Sequence, residues 1–427
     1  MSSGRKRVAV VGGGWAGLAA AVQATDDGHA ITLFEMAGQL GGRARSVKVN
    51  GLTLDNGQHI LIGAYRETLR LMQRVGVDSG RALHRRPLEL LYPDGSGLRL
   101  RHGNVHLAFL RAVARAQGWR WSDRWALLWQ TSVWLRGGMR NPGVDTVAQL
   151  CAALPERVRD DLIDPLCVAA LNTPSSQASA TVFLRVLADA LFGGLGSSDL
   201  LLPAAGLSEL FPVPALAWLE QNGAALQLGC RVQSIAPQPG TGWIVDDEPF
   251  DAVVLACSAV EAARLAAPWN RAWSAQAAAL DYEPIATVYL RRGTQPLPAP
   301  MVALRSSIEQ PAQFAFDLGP LRQQRDVVAF VISGARDWLE HGLPALSATV
   351  QRQALVALPG SFDANPAVVH ISMERRATFA CLPRLVRPAQ TIAVGLWAAG
   401  DYVEGPYPAT LEGAVRAGVT AAKAATA

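Results

Sequence analysis

Residues 7–35 read R-V-A-V-V-G-G-G-W-A-G-L-A-A-A-V-Q-A-T-D-D-G-H-A-I-T-L-F-E. The β-branched run Arg7 to Val11 predicts a buried parallel strand, and it passes straight into Gly12, Gly14 and Gly17 in G-x-G-x-x-G spacing. The alanine- and leucine-rich stretch from Trp15 to Ala24 predicts a helix, Asp26-Asp27-Gly28 a turn, and Ala30 to Phe34 a second strand ending at Glu35. Such a unit asks something different of each glycine. Gly12 makes the tight turn, Gly14 lets backbone approach a pyrophosphate, and Gly17 lets helix pack on strand, while the helix N-terminus at Trp15 and Ala16 faces the phosphates. Glu35 stands 18 residues past Gly17, close to the distance at which an acid meets adenosine ribose hydroxyls. Strand, helix, second strand and acid in register predict a Rossmann-type dinucleotide site rather than a structural glycine turn.

The same stretch imitates an export signal. Arg5-Lys6-Arg7 precedes a run without charge from Val8 to Thr25. Three consecutive glycines in its middle break the helix that a signal peptide or a membrane span needs, so both readings are rejected and a cytoplasmic location is expected.

Composition sets wider limits. The 427 residues suit two to three domains, 50% are hydrophobic, and 17% are charged where about 25% is ordinary. Disorder is excluded by that balance. With 39 basic residues nearly balanced by 35 acidic ones, the net charge of +4 argues against a nucleic-acid binder. The cysteines at 151, 167, 230, 257 and 381 form no C-x-x-C pair, which argues against a metal site or a disulfide framework and for small buried side chains in a reducing compartment.

The kind of dinucleotide is decided by Leu40-Gly41-Gly42-Arg43-Ala44-Arg45. A strand-end acid followed by such a G-G-R loop resembles the flavin amine oxidase and phytoene desaturase superfamily. The resemblance implies FAD, with Gly42 and Arg43 at the pyrophosphate or flavin edge and Arg45 assisting. It also covers the far end, where Gly400-Asp401 follows the apolar stretch Thr391 to Ala398, read as one strand, and Tyr407 to Ala414 (Y-P-A-T-L-E-G-A) opens the last helix with Pro408 in its first turn. There it implies that Asp401 holds a ribityl hydroxyl and that the helix start around Thr410 and Leu411 points at the flavin pyrimidine, where the macrodipole favours the anionic reduced form. The loop Asp55-Asn56-Gly57-Gln58-His59 is expected near the isoalloxazine. Gly229 to Ile235, Trp243 to Val245 and Asp251 to Cys257 read as strands, and in the superfamily the first passes the adenine, which makes Val232 a backbone contact.

The expected fold class is α/β: a Rossmann-type FAD-binding domain, glutathione-reductase-like and of the amine oxidase family, with a discontinuous α+β substrate domain. Residues 1–80, 200–270 and 370–427 are assigned to the former, 80–200 and 270–370 to the latter. Within the second lies W-R-W-S-D-R-W-A-L-L-W-Q-T-S-V-W, Trp119 to Trp134, where Trp121, Trp125 and Trp129 recur every four residues beside Arg120, Arg124 and Arg136. Helix 119–136 reads either as an interfacial membrane helix or as a core helix. The core reading is favoured, because amphipathic helices usually face a core.

Several longer stretches narrow the resemblance: Leu54-Asp55-Asn56-Gly57-Gln58-His59 with Gly63 to Thr68, Ala170-Leu171-Asn172-Thr173-Pro174, Ser198 to Pro203, and the Gly400 and Tyr407 segments. Together they are similar to the hydroxysqualene dehydroxylase family of bacterial hopanoid pathways, although Ala204-Ala205-Gly206 stands where a basic residue is expected. The resemblance implies reductive loss of an allylic hydroxyl from a long polyprenyl alcohol, hydroxysqualene, giving squalene. His59, Tyr65 and Tyr407 are the proton-donor candidates by motif position. Alternatives are a carotenoid-type desaturase running hydride the other way, a flavin amine oxidase, and a non-catalytic lipid carrier. One dinucleotide fingerprint implies an external electron donor that the sequence does not identify, and the greasy substrate makes a peripheral site on the inner face of the plasma membrane a reasonable location.

Overall fold

The computed structural model describes residues 4–101, 103–240, 242–324 and 326–427. Its two larger sheets are built, in chain order, from β1 (Arg7–Val11), β2 (Ala30–Glu35), β3 (Ala225–Leu228), β4 (Ala252–Leu255), β5 (Tyr282–Arg291), β6 (Met301–Ala303), β7 (Phe314–Asp317), β8 (Val327–Ser333), β9 (Val368–Phe379), β10 (Thr391–Ala393) and β11 (Leu396–Ala398). The first sheet has the order β3-β2-β1-β4-β11-β10 and is parallel except for the edge pair β10 and β11. The second has the order β6-β7-β8-β5-β9 and is antiparallel throughout. The helices used below are α1 (Trp15–Asp26), α2 (Arg66–Arg74), α3 (Val105–Ala114), α4 (Trp121–Arg136), α5 (Asp164–Leu171), α6 (Ala180–Leu191) and α7 (Leu411–Thr426).

The period of two along β1 explains its position. Val8 and Val10 pack with Leu18, Val22 and Val415 of the helical layer, whereas Ala9 and Val11 join Val245 and Phe250 on the opposite face. A strand covered on both sides has no polar face to keep, hence its unbroken apolar sequence. Helix α1 is covered by the sheet and by α7, and ten of its twelve residues are buried. At the crossing of the two helices a Cβ on Gly418 would stand 2.1 Å from the Ala16 carbonyl oxygen. Each fully buried aliphatic side chain in this layer contributes about 1.5–3 kcal/mol, so packing rather than the glycine loop holds the unit together.

Three sequence expectations are corrected. Residues 229–234 are not a strand: Gly229 has a φ of +70°, Arg264 donates to the carbonyls of Val232 and Gln233, and Asp246 accepts from the amides of Gln233 and Ser234. Side chains have taken the backbone groups a sheet would need, and pairing begins only at Ile235. The apolar stretch 391–398 is a hairpin that turns at Val394 and Gly395, the latter at a φ of +76°. Pro408 precedes the last helix, which starts at Leu411 after Thr410, because Ala409 adopts a left-handed φ of +56°.

Helix α4 forms where its tryptophan spacing places it, but the core reading fails for three of its indoles. Trp121, Trp125 and Trp129 are 67%, 68% and 64% exposed. Its opposite face, with Leu127, Thr131 and Trp134, is the buried one.

Candidate functional site

The carboxyl ends of β1, β2, β4 and β11 lead into the glycine turn, Glu35, Ala256-Cys257 and Gly400-Asp401, so the sequence-predicted loops converge at the edge where open α/β sheets bind ligands. Gly12 has a φ of +110°, and a Cβ there would lie 2.7 Å from the Ala256 oxygen and the Cys257 nitrogen. Gly17 is tighter still, its absent Cβ only 1.8 Å from the Gly12 oxygen. Gly14 differs from both. Nothing lies nearer to its absent Cβ than the Gly42 Cα at 3.9 Å, so the space beside it is open.

Helix α1 begins at this opening. Its first intrahelical bond runs from the Leu18 amide to the Gly14 carbonyl at 2.9 Å, which leaves the amides of Trp15, Ala16 and Gly17 at the positive end of the dipole. The Trp15 indole points elsewhere, donating to the Ala44 carbonyl at 2.8 Å and packing on Phe211. It therefore pins the 40–45 loop, and the Gly41 amide donates to the Gly13 carbonyl at 2.9 Å. Glu35 accepts from the amides of Gly13 and Ala37, each at 2.7 Å, and is buried.

Arg43 spans the two ends of the chain. Its guanidinium is ion-paired with Asp401 and donates to the Ala377 carbonyl at 2.7 Å. Burial disfavours the Arg43 charge, but the Asp401 carboxylate outweighs it and holds the guanidinium above its ordinary range. Asn56 fastens this loop, donating to the Arg43 carbonyl at 2.6 Å and accepting from the Arg45 amide at 3.0 Å. The Gly57 and Gln58 turn follows. Gln58 is buried and both its amide atoms lack a partner among the described residues, as does the hydroxyl of buried Tyr402, against which Gly400 is packed.

The three proton-donor candidates separate into two places. His59 donates through Nδ1 to the Gly57 carbonyl at 2.7 Å, and burial pulls its pKa below the ordinary value, with Asp55, Arg43 and Arg322 as its charged surroundings. Tyr65 and Tyr407 lie instead at the start of α7. Burial raises the Tyr65 hydroxyl, with Glu412 and Thr410 beside it; Tyr407 is raised by burial and sits beneath the Arg416 guanidinium, 4.8 Å from its ring centre. Thr410 caps α7 by accepting from the Gly413 amide at 3.0 Å. Leu411 opens that helix, whose N-terminus is a second source of positive potential. Val232 is buried and its carbonyl already accepts from Arg264 at 2.7 Å, so a ligand contact there falls to its amide.

Sequence reasoning missed two groups. Tyr282 stands beside Asp401 and Arg43, and burial pushes its hydroxyl up to about 12. Arg322 pairs with Asp55 at 2.5 Å, both almost wholly buried, under the 56–59 loop. Neither sits in a motif, and only the fold brings them in.

The residues fit a dinucleotide. Open space beside Gly14, two helix N-termini, the half-buried Arg43 fork and the orphaned polar atoms of Gln58 and Tyr402 match a ligand with phosphates and a polar ring edge. A profile for flavin containing amine oxidoreductases matches residues 15–426. A hydroxysqualene dehydroxylase from Rhodopseudomonas palustris is 28% identical over 98% of this chain and 97% of its own. A zeta-carotene desaturase from Synechocystis is 24% identical over 98% and 96%. Among solved structures, an oxidoreductase from Methanosarcina mazei superposes with a TM-score of 0.73 at 18% identity, covering 97% of this chain and 99% of that one. Cyclohexylamine oxidase from Brevibacterium oxydans does so with 0.72 at 16%, covering 99% of each. The cofactor is FAD, and the chain is an FAD-dependent oxidoreductase that belongs to the flavin containing amine oxidoreductase family.

Proposed function

We propose that the protein removes the allylic hydroxyl of hydroxysqualene reductively, giving squalene, as one step of hopanoid or triterpenoid synthesis. The observation that carries this reading is the likeness over 98% of the chain to proteins named hydroxysqualene dehydroxylase. Reduced FAD, when bound, supplies the hydride that replaces the hydroxyl.

Everything else falls to the chain. Gly12, Gly14, Gly17 and the Trp15 and Ala16 amides hold the pyrophosphate, Glu35 the adenosine ribose, and the Val232 amide the adenine. Gly42, Arg43, Gly57, Gln58, Gly400, Asp401, Thr410 and Leu411 hold the flavin end. The hydroxyl must gain a proton to leave as water. Tyr65 and Tyr407 are the proposed donors: burial keeps both hydroxyls protonated at neutral pH, and the one that hydrogen-bonds the departing oxygen would pass its proton to it and regain one from solvent. His59 is neutral there and offers Nε2 as an acceptor, which suits positioning better than proton supply. The allylic cation must be shielded from water, and a hydrocarbon chain gains about 0.8 kcal/mol per CH₂ buried. An external donor reloads the flavin. No helix of the described residues is long and apolar enough to cross a membrane, and we place the protein in the cytoplasm, peripheral to the bilayer that dissolves its substrate.

The test is anaerobic incubation of flavin-reduced protein with synthetic hydroxysqualene and mass analysis of the product. Exchange of hydroxyl for hydride supports the reading. Loss of water alone defeats it, and reduction of oxidised flavin by a more saturated polyprenoid would assign the desaturase activity that the Synechocystis relative is named for.

A further inference from the structure

Helix α4 is apolar on two opposite sides. Leu127, Thr131 and Trp134 face inward and are buried, while Trp121, Trp125 and Trp129 follow one another up the outer face with about two thirds of each exposed. A helix serving only a core needs one such stripe. The exposed patch continues through Val133 and Leu135 and onto neighbouring α3 through Leu107 and Leu110. Arginines are woven into it: the Arg124 guanidinium lies 4.7 Å from the Trp121 ring centre, and that of Arg136 lies 5.7 Å from Trp129. Indole beside guanidinium is the chemistry of a bilayer interface, where the ring sits at headgroup depth and the cation meets phosphate.

Charge points the same way. Residues 101–140 hold seven arginines and one acid, Asp123, a net +6. The whole chain is +4, so the remaining residues sum to −2. The segment that carries α3 and α4 is therefore the part of the chain to which an anionic surface is drawn. A second copy of the chain docked through the same face would set one +6 patch against another.

Behind α4 lies an apolar cavity walled by Leu127, Thr131 and Trp134 of α4, Phe109 of α3, Leu166 of α5 and Leu187 of α6. Its volume is about 30 Å³, room for a water and not for a polyprenyl chain, so it is a seam between helices. Helix α5 leads inward from it: from Leu166 to Asn172 is six residues, about 9 Å along a helix. Asn172 donates to Thr378 Oγ1 at 3.0 Å, and the adjacent Ala377 carbonyl accepts from Arg43.

We propose that the outer face of α4 with adjoining α3 docks on an anionic lipid bilayer, and that the substrate passes from that bilayer through the seam between α3 and α4 on one side and α5 and α6 on the other. The substrate half of this proposal rests on the reading above; the docking half does not.

Flotation of the full FAD-loaded protein with vesicles of phosphatidylcholine, with and without about 30 mol% phosphatidylglycerol, tests docking. Binding is expected with the anionic vesicles, weakening at least fivefold between about 0.1 and 0.5 M salt as the Debye length shrinks. The combined variant W121S/W125S/W129S should lose at least tenfold in vesicle affinity while its melting temperature and bound-flavin spectrum stay unchanged. Wild type that ignores both vesicles, or a variant that binds as wild type does, overturns docking. So does a wild-type dimer in solution that the variant dissolves, which would assign the face to a second copy. For passage, the variant should show a KM raised at least fivefold for vesicle-borne hydroxysqualene and an unchanged KM in detergent; equal behaviour in both overturns the route. Flotation without any turnover by wild type would leave docking standing and sink the substrate reading alone.

Discussion

Arg43 and Asp401 stand 358 positions apart in the chain and form one ion pair, with the Asp401 side chain buried and that of Arg43 partly open. The pair closes a ring of structure: β1, α1 and the glycine loops from the beginning, β11 and α7 from the end. Its other ties reach β9 through Ala377, so the antiparallel sheet is fastened at the same point.

Replacing Arg43 by Lys keeps the charge and loses the planar fork that serves Asp401 and Ala377 together. A charge-assisted hydrogen bond contributes about 1.5–3 kcal/mol, so FAD affinity should fall on the order of tenfold or more. Asp401→Asn, which preserves shape, should produce a similar fall. Both are read by titrating apoprotein with FAD and following flavin fluorescence, and an unchanged affinity in either variant would remove that residue from the site.

The glycines of the first turn should separate by kind of damage. Gly17→Ala forces a methyl to within 1.8 Å of the Gly12 oxygen, which cannot yield without moving β1. A loss of about 3 kcal/mol or more of apoprotein stability is expected. Gly14→Ala meets no atom nearer than 3.9 Å and has an ordinary φ of −74°, so the apoprotein should melt as wild type does. Only FAD binding should suffer there. Thermal melts with and without FAD check both, and an apoprotein weakened equally by the two substitutions would contradict the assignment.

The legible part of this arrangement was local. β1, α1 and β2 follow from hydrophobic period and glycine spacing, which a short window of sequence contains. Residues 229–234 look like a strand in the same window, yet Arg264 and Asp246 take their backbone groups from a distance. Tyr282 and Arg322 carry no motif because their partners, Arg43 with Asp401 and Asp55, come from other parts of the chain. The four-residue spacing of Trp121, Trp125 and Trp129 places them on one face of a helix, but spacing alone does not tell which of two apolar faces the core takes. That choice was made by Leu127, Thr131 and Trp134.

Acid should loosen the protein partly through His59. Burial holds its folded pKa below the ordinary 6.5, so the unfolded chain binds more protons between those two values. Stability is therefore full above about pH 6.5 and falls as pH drops through that window toward the folded value. His370 is lowered in the same direction by burial and adds to the trend. His59→Gln should flatten, without abolishing, the decline of melting temperature between about pH 7 and pH 5, and an unchanged slope would show that His59 does not contribute.

The Asp55 and Arg322 pair offers the sharpest energetic test. Both side chains are almost wholly buried, and Asp55 also accepts from Ser46 Oγ and the Leu207 amide at 2.9 Å each. Its backbone carbonyl accepts from the Tyr289 hydroxyl of β5 at 2.7 Å. Arg322→Met removes the counter-charge and strands a carboxylate in the interior, at an expected cost of about 3–5 kcal/mol. Adding Asp55→Asn to that variant neutralises the stranded group and keeps an acceptor for Ser46 and Leu207, so the double variant should recover part of the loss. Urea unfolding of the apoproteins measures all three. A double variant less stable than Arg322→Met alone would mean that Asp55 is held by its neutral hydrogen bonds and that its ion pair with Arg322 contributes little.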